Sequence, residues 1–475
     1  MPDYQWASQA YQRNDYGLPP ERLVNMFPEK GSAPQTGEQY ALVPREGRKP
    51  FANTGEFSCQ GGFQQDGVAG GKLITVHNTR VYATDKFGVS TLIGTIDFPI
   101  GLVRFAAVRN SIVILAPSGN AFRTDGTLVS KVIDADLFPN PVQDIASLDL
   151  RIVYALKNSD QFFWSEVLQS DEILGLSFAT AERGADPIVG IARSHQELFI
   201  FGTQTTEAWA GTGETSEFAF ARIPGAAVER GCSARNSILT ADNTVWFLGE
   251  NGIYYRLGEG FVPLRVSTHA IEEKATAAIL RGEGPEIQAW TYAMNGHEHI
   301  GLRFPQEGTF VYDISSDRWW EAATFEEPTY SKIFAVRAFN GSKVIVGEVN
   351  SGKLSELSPT TFDDDGAPVE RLATLNVPVT QRVPASAFRV HVVEGHGLPT
   401  GQGSNPEIML DWSDDGEGRV WSKERRFNFG QVGQFAKRII ARACGQIRPP
   451  GRIWRVRMTD PVSFSLRKAS LNDVD

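Results

Sequence analysis

Glu197-Leu198-Phe199-Ile200-Phe201-Gly202 runs into Thr203-Gln204-Thr205 and then into Thr206-Glu207-Ala208-Trp209-Ala210. An apolar run of strand length, a short polar turn and a second, aromatic-bearing run form the pattern of an antiparallel hairpin. Glu207 and Trp209 lie two residues apart on the second strand and therefore share one face. Their expected roles are structural: Trp209 packs inside a sheet layer and Glu207 bonds nearby amides.

The same unit recurs six more times. Lys72–Val76 and Arg80–Thr84 flank one turn, Ser111–Ala116 and Ala121–Thr124 another, and Arg151–Leu156 and Gln161–Ser165 a third. Thr244–Leu248 with Gly252–Arg256, Glu298–Phe304 with Thr309–Asp313, and Lys343–Glu348 with Lys353–Glu356 complete the series. The units start roughly 40 to 50 residues apart, the period of β-propeller blades. Radial closure protects the strand edges of so many hairpins. The expected fold is all-β, a propeller of six or seven blades with a second β-sandwich or platform domain built from the chain ends. A set of unrelated β-sandwiches is the competing account of the same hairpins.

Composition agrees. Gly and Pro together make 72 of 475 residues, from 46 and 26, above the usual share of roughly 12%. Turns are therefore frequent. Apolar residues at 41% and aromatics at 11% supply a packed core and exclude wholesale disorder. One helix is expected over Thr268–Leu280, with Ile271, Ala275, Ala278 and Ile279 on its apolar face.

Two regions fall outside the repeat. Residues 1–55 read as an extended arm packing with the platform, 56–375 as the propeller and 376–475 as the basic sandwich. Residues 359–385, with Pro359, Asp363-Asp364-Asp365-Gly366, Pro368, Pro378 and Pro384, read as a solvated linker. Beyond them Phe388–Val393, Glu407–Asp411, Lys437–Ala443, Ile453–Met458 and Val462–Leu466 read as strands.

Motifs for chemistry fail one by one. Gly67-Val68-Ala69-Gly70-Gly71-Lys72-Leu73 has the wrong glycine spacing for a phosphate loop, and Leu73 stands where a magnesium-binding hydroxyl is needed. His297-Glu298-His299 puts two imidazoles on one strand face, without a third metal ligand, and reads as an exposed face. Ser413-Asp414-Asp415-Gly416-Glu417-Gly418-Arg419-Val420-Trp421 resembles the Asp-box hairpin of sialidase-type propellers, in which the aspartate (here Asp415) bonds turn amides and the tryptophan (here Trp421) packs below. That box is structural even in enzymes. Arg222, Arg230 and Arg235 match a sialidase arginine cluster by composition alone. No catalytic residue, metal or cofactor is expected. Cys59, Cys232 and Cys444 show no CxxC spacing and read as buried thiols. No run approaches the ~20 apolar residues of a membrane helix, and the polar start Asp3-Tyr4-Gln5-Trp6 offers no signal core. The chain reads as made in the cytoplasm, with no membrane partner.

The net charge of −10 conceals a split: between Arg419 and Lys468 stand 13 Lys/Arg and two acids, so that stretch carries +11 and the remainder −21. Cations interleaved with Phe427, Phe429, Phe435 and Trp454 suit nucleic acid or a protein contact. A contact to a neighbouring subunit is favoured, with Arg425, Arg426, Lys437, Arg438, Arg442, Arg455 and Arg457 as its residues.

Several segments resemble one family in order along the chain. They are Leu23-Val24-Asn25-Met26-Phe27-Pro28, Val142-Gln143-Asp144-Ile145 with Leu148 and Arg151, and Phe201-Gly202 to Trp209 with Thr212-Gly213. Phe310-Val311-Tyr312-Asp313 to Trp319 and the terminal Pro461-Val462-Ser463 to Leu466 continue the series. This is the pattern of the tail hub, or nozzle, of short-tailed bacteriophages, the packaged-DNA stabilisation proteins. The resemblance implies a virion tail protein assembled in the host cytoplasm as a hexameric ring below the portal and adaptor. It would retain packaged double-stranded DNA, extend its channel through a bore that is not strongly basic, and dock tail spikes, fibres or a needle. It implies no catalysis. The alternative is a glycan-binding or glycan-hydrolysing propeller of a tail or cell surface.

Overall fold

The computed structural model describes residues 3–13, 17–31, 40–137, 140–181, 184, 186–214, 216–327, 329–435 and 437–473. Parts of the expected arm (residues 1–2, 14–16 and 32–39) lie outside them. Seven four-stranded antiparallel blades make up the propeller. In blade order their second and third strands are Leu73–His77 and Arg80–Thr84, Ser111–Leu115 and Ala121–Thr124, and Arg151–Leu156 and Gln161–Trp164. Then come Glu197–Gly202 and Thr206–Gly211, Thr244–Leu248 and Tyr254–Leu257, His297–Phe304 and Gly308–Asp313, and Lys343–Glu348 and Lys353–Ser358. These are the seven hairpins read from the sequence, so the blade number left open there is seven.

Each central strand is buried on both faces, which is why it reads as a continuous apolar run. Ile112, Val113, Ile114 and Leu115 are all fully buried. Apolar clusters of the propeller draw on neighbouring blades: Trp164 of blade three meets Trp209 and Phe220 of blade four, and Phe201 meets Phe247 between blades four and five. The helix His269–Leu280 joins blades five and six and buries Ala270, Ile271, Ala275 and Ala278. The two-residue turn Asn295-Gly296, with both φ angles positive (53° and 86°), links the first strands of blade six.

The ring is closed by the N-terminal segment. Gly47–Asn53 pairs with Lys353–Ser358 as the outer strand of blade seven. This strand lies within the segment read as arm.

The sandwich unites both chain ends. One sheet orders Met26–Lys30, Tyr40–Pro44, Leu466–Leu471, Ala387–Val392 and Ile439–Arg442, with Asp3–Tyr4 also pairing Leu466–Leu471. The other orders Leu23–Val24, Arg371–Pro378, Gly451–Met458, Glu407–Ser413 and Arg425–Asn428. Leu23–Val24 also pairs Arg318–Ala322, the outer strand of blade six, so propeller and sandwich share one nine-stranded sheet. Between the sheets Phe388 stacks on Trp454 at 3.8 Å, beside Trp6.

Three expectations need correction. Residues 359–385 are not a linker throughout, because Arg371–Pro378 is a buried interior strand and the division at 375/376 cuts it. Its prolines bracket the strand; Leu372, Ala373, Leu375 and Val377 fill it. Asp364 is buried rather than solvated, at 3% exposure. Val462–Leu466 is core, with Val462 and Phe464 buried, but the strand there begins at Leu466.

Candidate contact surface and domain junction

The seven cationic side chains named from the sequence fall into two groups. Arg425–Asn428 and Ile439–Arg442 are the last strands of their respective sheets, and the two edges meet. Arg425 joins them: its Nη1 donates to the carbonyl of Arg442 at 2.6 Å and its Nη2 to that of Ala443 at 3.3 Å, while its guanidinium covers the Trp412 ring. Arg426, Lys437, Arg438 and Arg442 are exposed around this edge. Arg426 bonds only Glu424, two residues away, at 3.0 Å.

Arg455 and Arg457 face inward to partners of their own domain. Arg455 grips Asp411 with two bonds of 2.9 and 2.6 Å and lies 3.8 Å over the Trp421 ring. Arg457 reaches Glu424 at 2.6 Å and Asp411 at 3.5 Å. Opposed strands explain the pairing, since Asp411 stands directly across from Arg455. Arg425, Arg455 and Arg457 are thus committed within the sandwich, and of the seven only Arg426, Lys437, Arg438 and Arg442 face outward.

The hairpin Glu407–Ser413 to Arg425–Asn428 turns around Asp415. Its Oδ1 accepts from the amides of Glu417 and Gly418, and its Oδ2 from those of Arg419 and Val420, all within 2.9 Å. Burial alone would raise this carboxyl; the bonds from Ser413 and the turn amides outweigh it and hold it well below the usual range. In blade four, Glu207 accepts from Trp209 Nε1 at 3.1 Å and pairs with Arg222 at 3.1 Å. Arg230 pairs instead with Glu250, and Arg235 donates to the carbonyls of Gln143 and Leu102, so these three arginines share no partner.

A charged junction, unmarked by any motif, joins propeller to sandwich. Arg45 holds Asp364 with two bonds of 3.0 and 2.7 Å, and both are almost fully buried. Arg48 Nε lies 2.8 Å from the same carboxylate, an ion pair rather than an aligned hydrogen bond, and its Nη1 bonds Glu348 at 3.2 Å. Burial acts to raise the Asp364 carboxyl, but the Arg45 and Arg48 charges bring it down to about 2. Lys332, fully buried, donates to Glu348 at 2.8 Å, and burial lowers its ammonium to about 8. Arg371 donates to the carbonyls of Asp460 and Phe362. The signal available in sequence was the pair Arg45 and Arg48 and the triple aspartate, some 300 residues apart.

His297 and His299 belong to this junction and are buried, not on the exposed face expected of them. His297 lies between Asp313 at 2.9 Å and Glu29 of the N-terminal arm at 2.6 Å, and the bond to Asp313 raises it to about 9. His299 is enclosed by Phe27, Tyr292 and Trp320, and burial lowers it to about 4.

On the propeller axis the inner strands border an open cavity of about 440 Å³. Its lining includes Arg104 and Arg193 and, among the described residues, no carboxylate. Glycoside hydrolysis ordinarily needs two. No group of three or more His, Cys, Asp or Glu side chains is placed to hold a metal among the described residues. No helix described is long and apolar enough to cross a membrane.

The fold and its buried charges define a seven-bladed propeller fused through a shared sheet to a β-sandwich. A family model described as the β-propeller of bacteriophage P22 Gp10 matches residues 20–362, and one described as the β-sandwich of the same protein matches residues 379–472. The chain belongs to the bacteriophage P22 Gp10 family of phage stabilisation proteins, which are structural virion components rather than known enzymes. The resemblance read from the motifs and the all-β fold both stand. Among solved structures, the computationally designed Ika8 protein aligns at TM-score 0.40 and 13% identity, over 71% of this chain and 99% of that one. The WD40 β-propeller domain of Doa1 aligns at 0.42 and 10%, over 66% and 96%. A search of curated proteins gives no match.

Proposed function

We propose that this chain is a tail hub, or nozzle, subunit: six copies form a ring below the portal and adaptor, retain packaged DNA, extend its channel and dock spikes, fibres or a needle. The observation that carries the reading is membership of the P22 Gp10 family across both propeller and sandwich. Scale supports a channel between copies. An axial cavity of about 440 Å³ has the size of a small-molecule site and cannot pass a duplex. Ring contacts are assigned to the exposed basic edge, Arg426, Lys437, Arg438 and Arg442, meeting acidic surface on the next copy, because complementary fields set register. A heterologous contact of this kind closes into a ring.

The test is reversal of those four residues to Glu, with native mass measured on the pure chain and in the presence of portal and adaptor. The reading expects a folded monomer, loss of the ring and particles that leak DNA. Normal assembly together with lost binding of duplex DNA by the free chain would instead make the edge a nucleic-acid surface.

A further inference from the structure

The turns that join the third strand of a blade to its fourth share one feature in blades one to five. The fourth strands are Ser90–Thr95, Val129–Lys131, Phe178–Thr180, Phe220–Val228 and Pro263–Arg265. In the turn before each stands an exposed apolar side chain: Phe87, Leu128, Leu168, Phe218 and Val262. Phe87 and Phe218 are 78% and 65% exposed. Strands alternate in direction within every blade, so all five turns lie at one end of the propeller. The series stops at blade six, whose outer strand carries the sandwich; there Ile314 is half-buried. Single exposed apolar residues are ordinary on a protein surface, but one at the same turn of five successive blades makes a face. Parts of it are concave. Leu128 and Leu168 border one cavity of about 340 Å³ between blades two and three, and the Leu168 amide donates to the carbonyl of Leu150, itself exposed, at 2.8 Å. Phe87 borders a groove between blades one and seven with Phe51 and Phe339.

The same five turns carry eight carboxylates and one cation, Lys86. Arg123 takes up Asp171 at 2.6 Å and Arg151 faces Glu166 at 3.9 Å, so the excess rests on the other six, Glu172, Glu217 and Glu259 among them. The turns joining first to second strands at this end add Asp66, Asp149 and Asp242 against Lys72 and Arg109 and do not reverse the sign. An acidic face turns away the phosphates of nucleic acid and of an anionic bilayer. It matches a cationic protein surface that carries apolar side chains of its own. The sandwich edge is such a surface. Arg426, Lys437, Arg438 and Arg442 are exposed there, and so are Val432 and Phe435 in the loop leading to Ile439–Arg442. Aromatic side chains and arginines are the usual anchors of a protein contact. Both surfaces are exposed within one chain, so they can meet only between copies.

We propose that this end of the propeller is the receiving half of the subunit contact: the acidic, apolar face of blades one to five on one copy takes the basic sandwich edge of the next, with Val432 and Phe435 seated among the turn hydrophobics. The assignment rests on the ring reading for its partner being a second copy, and adds to it the surface that the basic edge meets.

The test uses two full-length variants. The face variant carries Glu172→Arg, Glu217→Arg and Glu259→Arg; the edge variant carries Arg426→Glu, Lys437→Glu, Arg438→Glu and Arg442→Glu. Native mass is measured on each alone and on their equimolar mixture, with portal and adaptor present and absent. Each alone should associate at least about tenfold more weakly than the unmodified chain. The mixture should regain its mass, because the acidic face of one variant then meets the basic edge of the other, and the basic face the acidic edge. Leu128→Ser with Phe218→Ser, which alters no charge, should weaken association about tenfold while leaving thermal unfolding unchanged, and it reads the same face if the arginine variant fails to fold. A face variant and a serine variant that both form the ring normally would overturn the assignment and leave the ring reading standing. So would a face variant that keeps the ring but loses the adaptor, since the face would then belong to a different protein. An unmodified chain that stays monomeric under all conditions would instead overturn the ring reading itself, and this assignment with it.

Discussion

Asp364→Asn should disconnect the two halves of the molecule without unfolding the blades that lie far from them. Asp364 receives two bonds from Arg45, at 3.0 and 2.7 Å, and faces Arg48 at 2.8 Å. Asparagine is almost isosteric and keeps one acceptor, but its NH₂ would point at a guanidinium. Arg48 would then keep only Glu348, which already serves Lys332, and Arg45 only the neutral oxygens of the Asn25 side chain and the Glu46 carbonyl. Removing one partner of a buried ion pair costs about 3–5 kcal/mol, mostly because the remaining charge stays buried and uncompensated. The full range applies here, since Arg45 and Asp364 have side-chain exposures of 3% and 1%.

Two measurements read this effect. The urea midpoint should fall by the equivalent of about 3 kcal/mol or more. Hydrogen exchange should lose protection first in Gly47–Asn53 and Arg371–Pro378, while the central strands of blades two to four keep theirs, because stability is lost in cooperative local units. Replacing Arg45 by Met in the same chain should recover part of the loss, with a coupling of about 1–3 kcal/mol. The folded carboxyl lies at about 2, below its ordinary 3.8, so its contribution is full above about pH 4 and disappears as pH falls toward 2. The asparagine variant should lack that acid limb. A loss below about 1 kcal/mol, or exchange that rises equally in all blades, would refute the reasoning.

Further outcomes follow from other contacts. His297, raised to about 9 by Asp313 and Glu29, stabilises fully below about pH 6.5 and loses its effect as pH rises through 9; His297→Gln should flatten that alkaline limb in urea midpoints. His299, lowered to about 4 by burial, stabilises above about pH 6.5 and opposes folding as pH falls through 4; a gap of that size is worth roughly 3 kcal/mol, and His299→Phe should remove it. Gly62→Ala would place a methyl group 2.4 Å from Cζ of Phe334, where blade one meets blade seven, and should cost about 1–3 kcal/mol in thermal unfolding. Arg455→Ala should destabilise the monomer by about 2 kcal/mol or more through loss of the Asp411 pair, whereas Arg426→Ala, exposed and bonded only to Glu424, should leave its unfolding curve within about 0.5 kcal/mol.

What was legible in the sequence was local. The middle hairpin of each blade announces itself because both faces are buried and the turn is polar, as in Ser111–Leu115 to Ala121–Thr124. Closure was not legible. Gly47–Asn53 carries Lys49 and Pro50 and looks like arm, yet an edge strand tolerates a proline, and Pro50 sits beside the irregularity in its pairing with Leu354 and Ser355. Its partner lies some 300 residues away, beyond any periodicity. The basic stretch failed for a related reason. Strand alternation placed Arg455 and Arg457 on one face correctly, but Asp411, on a strand 44 residues earlier, is what turns that face inward. Counting charges locates a basic segment; only the register of neighbouring strands separates guanidinium groups already paired from those facing outward.

The topology couples propeller and sandwich twice over. Leu23–Val24 binds the outer strand of blade six and the sandwich strand Arg371–Pro378 at the same time. Further along the chain, Tyr40–Pro44 enters the sandwich and Gly47–Asn53 closes blade seven. The turn between those two strands holds Arg45, whose partner Asp364 lies on the return path from blade seven to the sandwich. Pulling the sandwich away therefore loads the closure strand of the ring directly, and opening the ring strips a strand that is covalently continuous with the sandwich. Neither part can yield without the other. Such coupling lets a load applied to the sandwich reach the propeller through paired strands rather than through a flexible linker. The Arg45–Asp364 pair clamps the second of these routes, tying the turn before the closure strand to the return path toward the sandwich.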